Sequence, residues 1–546
     1  MSPKLSSWGL IFLSLSVVAL GQPARFCALG ALSAVMGFSL FFYALSLLPS
    51  ISLKKKFLFS ALWFAGVQAT QLSWMLTLEF QGYYILVVYA FLLLCLGAQF
   101  GLLAIQVPLW GKLSWKQIFY FASFWTLMEW IRLFFFCGFS WNPVGLALSC
   151  SDFSLQLASV AGVFGLSFWV MLTNGIFLNL LRGFKMGFAG ILCALIPYAF
   201  GAAHLYFHSL QNPQKTLHIA LVQTALLPSQ KAPHRGKSCD FIPPMEQWRQ
   251  IASLLKQAQT TKWDRIVLPE AAVFFQADET FYPLREVQEI LASFFGASVT
   301  HKFPPLTSPY AQLSSSGMRV SNLFWSQTLS NVLQAEMVVG FDYKDKEGNK
   351  NFNSAFYLKP NSSVIKRYDK QILLPLAESL PFSFLKLLTK HYGITDFFTE
   401  GGASKVWEGL SPSICYEETF PALMRQARLA GAKLFVNLTN DNYYPHSLLH
   451  KQHLFHARLR AIENGIPLIR SCNAGVSAVI DSLGRIVAQA PASTTPTVIA
   501  HKLNTYVYPT LFSLYGDKAL MGFSLALCLI FWVVSFFKLR TQTVST

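Results

Sequence analysis

Eight apolar runs, at about 8–21, 26–48, 57–75, 82–108, 117–138, 158–181, 187–206 and 519–537, constrain this chain more than any other feature. A helix needs roughly 20 apolar residues to cross a bilayer, and most of these runs reach that length. Seven precede a long polar-rich stretch and one follows it. The first is short, and Lys4 before it also fits a signal peptide; either reading leaves the later topology unchanged. With 53% apolar, 15% aromatic and only 13% charged residues in 546, the chain is a membrane protein of more than one domain. We divide it into residues 1–206 (helices one to seven), 207–518 (a soluble insert) and 519–546 (a last helix and tail).

Lysine and arginine give the orientation. Lys54, Lys55 and Lys56, then Lys112 and Lys116, then Arg182 and Lys185, and finally Lys538 and Arg540 fall in alternate loops, whereas the opposite loops hold Arg25, Glu79 and Asp152. Basic loops stay in the cytoplasm, so residues 207–518 are expected outside, in the periplasm of a Gram-negative cell. The net charge of +17 fits basic loops at a membrane surface; no basic arm or nucleic-acid motif accompanies it. The nine cysteines show no paired spacing, and six (Cys27, Cys95, Cys137, Cys150, Cys193, Cys528) lie in or beside apolar segments, so neither a disulfide framework nor a zinc knuckle is expected.

The insert alternates short apolar strands with helical segments. Residues 217–223, 265–269, 336–341, 433–437 and 466–470 read as buried strands, and 245–259, 419–430 and 448–464 as helices, which together imply a layered α/β domain. Residues 276–332, rich in Pro, Ser and Phe, read as a long loop or partly helical insertion.

Three strand ends carry reactive groups. In "DRIVLPEA", Pro269 stops a strand and leaves Glu270 at its carboxyl end, where open α/β sheets place their sites. "VIKRYDKQILLPLAE" sets Lys370 in a turn with Glu378 eight residues on. "SICYEETFP" puts Cys415 between a strand and a helix, where backbone N–H groups can receive an oxyanion. A thiol becomes a nucleophile as thiolate, which a lysine stabilises and a carboxylate generates, so the three form a base, a charge stabiliser and a nucleophile. Taken singly, Cys415 is more often a small core residue, Glu270 a helix N-terminal charge and Lys370 a solvated side chain; the conjunction is stronger than its members. His446, His450, His453 and His456 share one helical face, but without an HExxH pattern they read as structural histidines rather than metal ligands. Glu129 and Arg132 within the fifth run read as an i,i+3 pair facing neighbouring helices, with an intramembrane functional role as the alternative.

Glu270 after "LP", Lys370 in "YDKQILLPLAE" and Cys415 in "ICYEETFP" resemble the Glu-Lys-Cys triad of the nitrilase superfamily. The spans around that domain look like the superfamily's membrane branch, the apolipoprotein N-acyltransferases. "NFNSAFYL", "NLTNDNYYP", "QHLFHARLRAIENGIPLIRSCNAGVSAVI" and, in the membrane half, "EWIRLFFFCGFSWNPVG" extend the likeness over most of the chain. The resemblance implies an αββα sandwich for the soluble insert beside a helical transmembrane bundle. It also implies that Cys415 takes an acyl chain from a phospholipid as a thioester and passes it to the α-amino group of an apolipoprotein's N-terminal diacylglyceryl-cysteine. Glu270 would be the base, and Lys370 with the backbone N–H of Tyr416 would hold the oxyanion. Asn353, Glu378, Tyr416 and Glu417 would shape the site, and no metal or organic cofactor is implied. The inner membrane, with the catalytic domain periplasmic, is the implied location. Phe274, Phe275, Phe382, Phe384, Tyr443 and Tyr444 fit an apolar entrance for lipid, with simple core packing of aromatics beside strand ends as the alternative. The sequence departs from the family where "NDNYYP" stands for an "NDAWFG"-like turn and Ala377 precedes Glu378 in place of glycine. Two rivals remain on the residues alone. One is a membrane-anchored amidase using the same triad on a soluble amide. The other is a transporter with a receptor domain, which the near absence of charge in the spans disfavours.

Overall fold

The computed structural model describes residues 6–22, 26–49, 51–135, 138–233, 240–345, 347–380, 397–445, 447–491 and 494–544. They form two compact units, Met1–Gln211 with Pro509–Thr546, and Asn212–Tyr508.

In the first unit helices occupy every apolar run. Among the described residues five are long and apolar enough to cross a membrane: Cys27–Ser46, Tyr84–Gln106, Ala158–Leu181, Gly187–Ser209 and Lys518–Ser535. Ser7–Gly21 is a shorter apolar helix. Leu53–Gln71 carries Lys54, Lys55 and Lys56 in its first turn, and Trp115–Ile131 has 17 residues. Ser52 and Ser114 cap these two helices through their hydroxyls, which satisfies backbone donors that lipid could not. The i,i+3 reading of Glu129 and Arg132 matches the contacts found: they pair at 3.3 Å, and Glu129 also accepts from Trp125 Nε1 (2.9 Å) and Val144 N (2.8 Å). Val144 opens a 3-10 helix, Val144–Leu148, within a stretch, residues 140–149, that is buried throughout; backbone that departs from the α-helix is tolerated at such depth when protein surrounds it. One expectation fails in this unit. Cys27 and Cys150 form a disulfide across 123 residues of sequence, a pairing that no local spacing announces because helix packing alone brings the two together.

Among the described residues the second unit has fourteen strands: β1 (Lys215–Gln223), β2 (Arg265–Val267), β3 (Tyr282–Pro283), β4 (Ala311–Ser314), β5 (Gly317–Val320), β6 (Glu336–Asp345), β7 (Lys350–Leu358), β8 (Lys366–Asp369), β9 (Leu410–Ile414), β10 (Leu434–Thr439), β11 (Leu468–Cys472), β12 (Ala478–Ile480), β13 (Ile486–Gln489) and β14 (Thr497–Thr505). One sheet runs β14-β1-β2-β6-β7-β8 and the other β13-β12-β11-β10-β9. Alternation along the strands sorts their side chains into layers. Ile219 and Leu221 of β1 pack against Leu434, Val436 and Leu438 of β10 between the sheets. Ala220 and Val222 instead face the helices Pro244–Ala258 and Asn322–Leu333. On the far side, Phe435 and Leu468 meet Met424, Leu454, Ala457 and Ala461 of the helices Pro421–Leu429 and Leu449–Asn464. The result is the αββα sandwich. All five expected strands and three expected helices are present, with ends shifted by a few residues. Residues 276–332 are not a long loop: they hold the helices Leu284–Phe295 and Asn322–Leu333 and a small sheet ordered β3-β5-β4.

Candidate active site

Glu270 follows the apolar run of β2 by three residues, and its position is dictated by backbone contact. The next parallel strand, β6, carries Gly340, where a Cβ would lie 2.7 Å from Glu270 Cα and 2.8 Å from Pro269 O. Only glycine lets the loop sit this close, and Gly340 N donates to Pro269 O while Ala272 N donates to Gly340 O. Ala271 takes up the turn with φ +42°, and the Glu270 side chain is turned inward, 7% exposed.

Lys370 stands directly after β8 and is almost fully buried. Its Nζ lies 3.3 Å from Glu270 Oε1 and is gripped by both oxygens of Glu378, at 2.9 and 2.8 Å. Asn353 on β7 donates from one amide nitrogen to Glu270 Oε1 (2.7 Å) and Glu378 Oε1 (2.9 Å). Burial works against the Lys370 ammonium, but Glu270 and Glu378 outweigh it and hold its pKa well above the ordinary lysine value. Gly401 completes the support: its N–H donates to Lys370 O, and a Cβ there would collide with Asp369 O.

Cys415 directly follows β9 and adopts φ +52°, the left-handed region that a non-glycine residue enters only when its surroundings hold it there. Asn437 Nδ2 donates to its carbonyl at 3.2 Å. Glu417 ties the turn to the lysine segment: its carboxylate accepts from Ile414 N, Tyr368 Oη, Gln371 N and Ile372 N. Burial and then the Glu270 carboxylate push the Cys415 thiol well up, with Lys370 pulling the other way. Glu270, Lys370, Asn353 and Glu378 therefore meet directly, Cys415 feels Glu270 and Lys370 electrostatically, and Glu417 braces both segments. The Tyr416 ring packs edge-on against Phe420 at 5.0 Å between centroids.

The histidine face is bound up in a different cluster. His453 contacts Asp441 (2.9 Å) and Glu418 (3.1 Å), and Arg470 contacts the same two carboxylates at 3.1 Å each. His450 faces Tyr444 O at 3.0 Å, and His446 lies outside the described residues. Among the described residues no group of three His, Cys, Asp or Glu side chains is arranged for a metal ion. Phe274 and Phe275 join Phe281 in a cluster of rings, the last two stacked at 4.1 Å, and Tyr443 is exposed. Phe382 and Phe384 lie outside the described residues.

Two residues near Glu270 escaped the sequence reading. Lys231, 7% exposed, donates to Glu270 O at 3.1 Å, and burial pushes its pKa down to about 8. In "PSQKAPHRGK" nothing distinguishes it from a surface lysine. Asp342 feels both Glu270 and Lys231; its only signal is an acid closing the apolar run "MVVGF".

The carbon-nitrogen hydrolase family matches residues 219–504, and the apolipoprotein N-acyltransferase N-terminal domain matches residues 14–176. An apolipoprotein N-acyltransferase of Chlamydia trachomatis is 30% identical across 98% of this chain and 97% of its own. This chain belongs to the apolipoprotein N-acyltransferase family. A Chlamydia caviae apolipoprotein N-acyltransferase is 29% identical across 95% of both chains. A Saccharomyces cerevisiae member of branch 10 of the nitrilase superfamily is similar at 18% identity and TM-score 0.36, covering 54% of this chain and 91% of its own. As a member of the N-acyltransferase family the chain is an acyltransferase enzyme, with a nitrilase-like α/β fold beside a helical region of apolar, membrane-length helices.

Proposed function

We propose that this enzyme N-acylates lipoproteins in two steps, with a phospholipid as donor and the α-amino group of an N-terminal diacylglyceryl-cysteine as acceptor. The observation that carries the reading is the convergence of Glu270 and Lys370 at 3.3 Å, with both acting on the thiol of Cys415 held on a left-handed strand-end turn. In the first step Glu270 removes the Cys415 proton as sulfur attacks the ester carbonyl of the phospholipid. Lys370, kept protonated by its carboxylate neighbours, and the Tyr416 backbone N–H receive the oxyanion. Collapse expels the glycerol alcohol, which takes the proton from Glu270, and leaves a thioester. In the second step the acceptor amine attacks, Glu270 takes its proton, and the sulfur leaves. Asn353 and Glu378 fix the base and the lysine; Glu417 fixes the lysine segment against the nucleophile's turn. Both substrates are anchored by acyl chains, so an entrance lined by rings such as Phe274 and Phe275 suits them better than an aqueous cleft.

For topology we propose eight spans with the basic loops cytoplasmic and residues 207–518 periplasmic, at the inner membrane. The Cys27–Cys150 disulfide supports this sidedness: both cysteines adjoin loops assigned to the outside by charge, and disulfides persist in oxidising compartments. The reading is tested by mass spectrometry of the purified protein after incubation with phospholipid. An acyl adduct on Cys415 that disappears in Cys415→Ala is the expected result. Donor consumption at the wild-type rate by Cys415→Ala overturns it, and release of ammonia from a soluble amide, without dependence on phospholipid, favours the amidase reading.

A further inference from the structure

Asp342 has no part in the steps above, yet the register of the sheet puts it beside them. It lies directly opposite Asn353 in the antiparallel β6–β7 ladder, and residues paired in this way project side by side from one face. That face looks between the two sheets, since Val338, Ala355 and Tyr357, at the same alternation, belong to the core there. Asn353 points from it at Glu270 and Glu378. Two residues before Asp342, Gly340 touches the Glu270 backbone. Each of the other carboxylates is engaged: Glu270 by Asn353 and Lys370, Glu378 by Lys370, Asn353 and Leu374 N, Glu417 by its four donors. The partly buried Asp342 carboxylate makes no hydrogen bond or ion pair among the described residues.

The groups facing it are Lys231 from the helix Pro228–Lys231, Glu270 from the loop after β2, Glu378 and Lys370 from the segment after β8, and the neutral Tyr443 phenol from the loop after β10. Counting Asp342, three carboxylates stand against two ammonium groups, which leaves the pocket formally short of one positive charge while Cys415 is a thiol. Burial, opposed by Lys231 and reinforced by Glu270 and Glu378, pushes the Asp342 pKa up to about 7.

The second half-reaction brings a cation to this pocket. An α-amino group has a pKa of about 8, so it arrives mainly as ammonium and attacks only as the free amine. We propose that Asp342 binds the α-ammonium group of the acceptor and takes the proton that must leave before attack; this rests on the two-step acyl-transfer reading. The ammonium gives one proton to the Asp342 carboxylate and becomes an amine. Its lone pair forms the C–N bond to the thioester carbonyl carbon, and Glu270 takes the second proton from nitrogen. The C–S bond then breaks with its electron pair on sulfur, which regains a proton from Glu270, and the proton on Asp342 passes to solvent as the product leaves.

The test separates the half-reactions in the full-length protein in detergent micelles, with a phospholipid labelled in its acyl chain as donor and a synthetic peptide bearing an N-terminal S-diacylglyceryl-cysteine as acceptor. Asp342→Asn is expected to slow peptide-dependent deacylation about 10–100-fold with a raised acceptor KM, far more than it slows acyl-enzyme formation. The deacylation profile should also lose its inflection near neutral pH, and Asp342→Glu should restore part of the rate. An Asp342→Asn variant that deacylates with the wild-type rate and KM overturns the proposal. So does one that slows both half-reactions in equal proportion, because Asp342 would then act only on Glu270. A wild-type protein that acquires no acyl chain on Cys415 overturns the acyl-transfer reading and this proposal together.

Discussion

Cys415 sits where sulfur ionises least readily by itself. Burial and Glu270 hold the thiol protonated at neutral pH, and Lys370 offsets them only in part. Proton removal and attack are then coupled, so Glu270→Gln should lose acyl-enzyme formation by about 10³-fold or more, close to the loss in Cys415→Ala. Single-turnover labelling by phospholipid measures this; a Glu270→Gln variant that labels within tenfold of wild type would point to a preformed thiolate. A second expectation concerns Asn353, whose amide donates to both Glu270 and Glu378. Asn353→Asp replaces a donor by a further carboxylate beside Glu270, Glu378 and Asp342, and like charges this close repel one another. Glu270 loses a donor and gains a like charge beside it, so kcat/KM at neutral pH should fall about 100-fold, which a steady-state assay of the variant measures. At this scale Glu270, Lys370 and Cys415 were legible because each stands where an apolar run gives way to a turn: Glu270 after Pro269, Lys370 with Glu378 eight residues on, and Cys415 between a strand and a helix. Lys231 and Asp342 were not, because burial of the one and the β6–β7 register of the other exist only once the sheet has formed.

Elements place these residues by close approach and by buried charge. Gly340→Ala would put a methyl group 2.7 Å from Glu270 Cα, and β6 cannot yield because it is paired on both sides, by β2 and β7. The Glu270 loop must move instead, so activity should fall about 100-fold or more while the domain still folds; turnover set beside the circular dichroism spectrum of Gly340→Ala tests this. The loop Asn440–Pro445 is held differently, through Asp441. Burial alone would raise that carboxyl, but His453 and Arg470 more than reverse it, leaving a folded pKa of about 2 against the ordinary 3.8. A depressed carboxylate stabilises the fold above its unfolded pKa, and that stabilisation is lost as pH falls from about 4 toward 2. Wild type should therefore lose thermal stability steeply across that window. Asp441→Asn should begin less stable at neutral pH, having left Arg470 and His453 without one partner, and should show a flatter acid limb. Legibility of elements followed apolar pattern rather than length. β1, β2 and β10 were readable from the runs 219–222, 266–268 and 434–436, whereas β7 and β14, nine residues each, mix Asn, Ser, His and Lys among their apolar residues, and β3, β4 and β5 have two to four residues each and too few alternations to register. Pro412 within β9 is tolerated because β9 is an edge strand.

For the whole molecule, apolar length and loop charge carried the sequence reading. Both are sums over many residues and survive errors at any one of them, which is why the helices appear where the runs are. The Cys27–Cys150 bridge is the opposite kind of feature, one bond between positions 123 residues apart, and it tests sidedness independently of the lysines. Closing so long a loop stabilises the fold by on the order of 2–5 kcal/mol, so the Cys27→Ser/Cys150→Ser pair should unfold at a lower temperature in detergent than wild type, and wild type treated with reductant should match it. Sidedness follows from access. In intact spheroplasts a membrane-impermeant maleimide should label Cys27 and Cys150 after reduction and leave them unlabelled before it, because both adjoin loops placed outside by charge. Labelling that requires permeabilised cells would invert the order of spans. The long insert joining Ser209 to Lys518 would then face the cytoplasm, away from acceptors anchored on the outer leaflet, and the acyl-transfer reading would lose its second substrate.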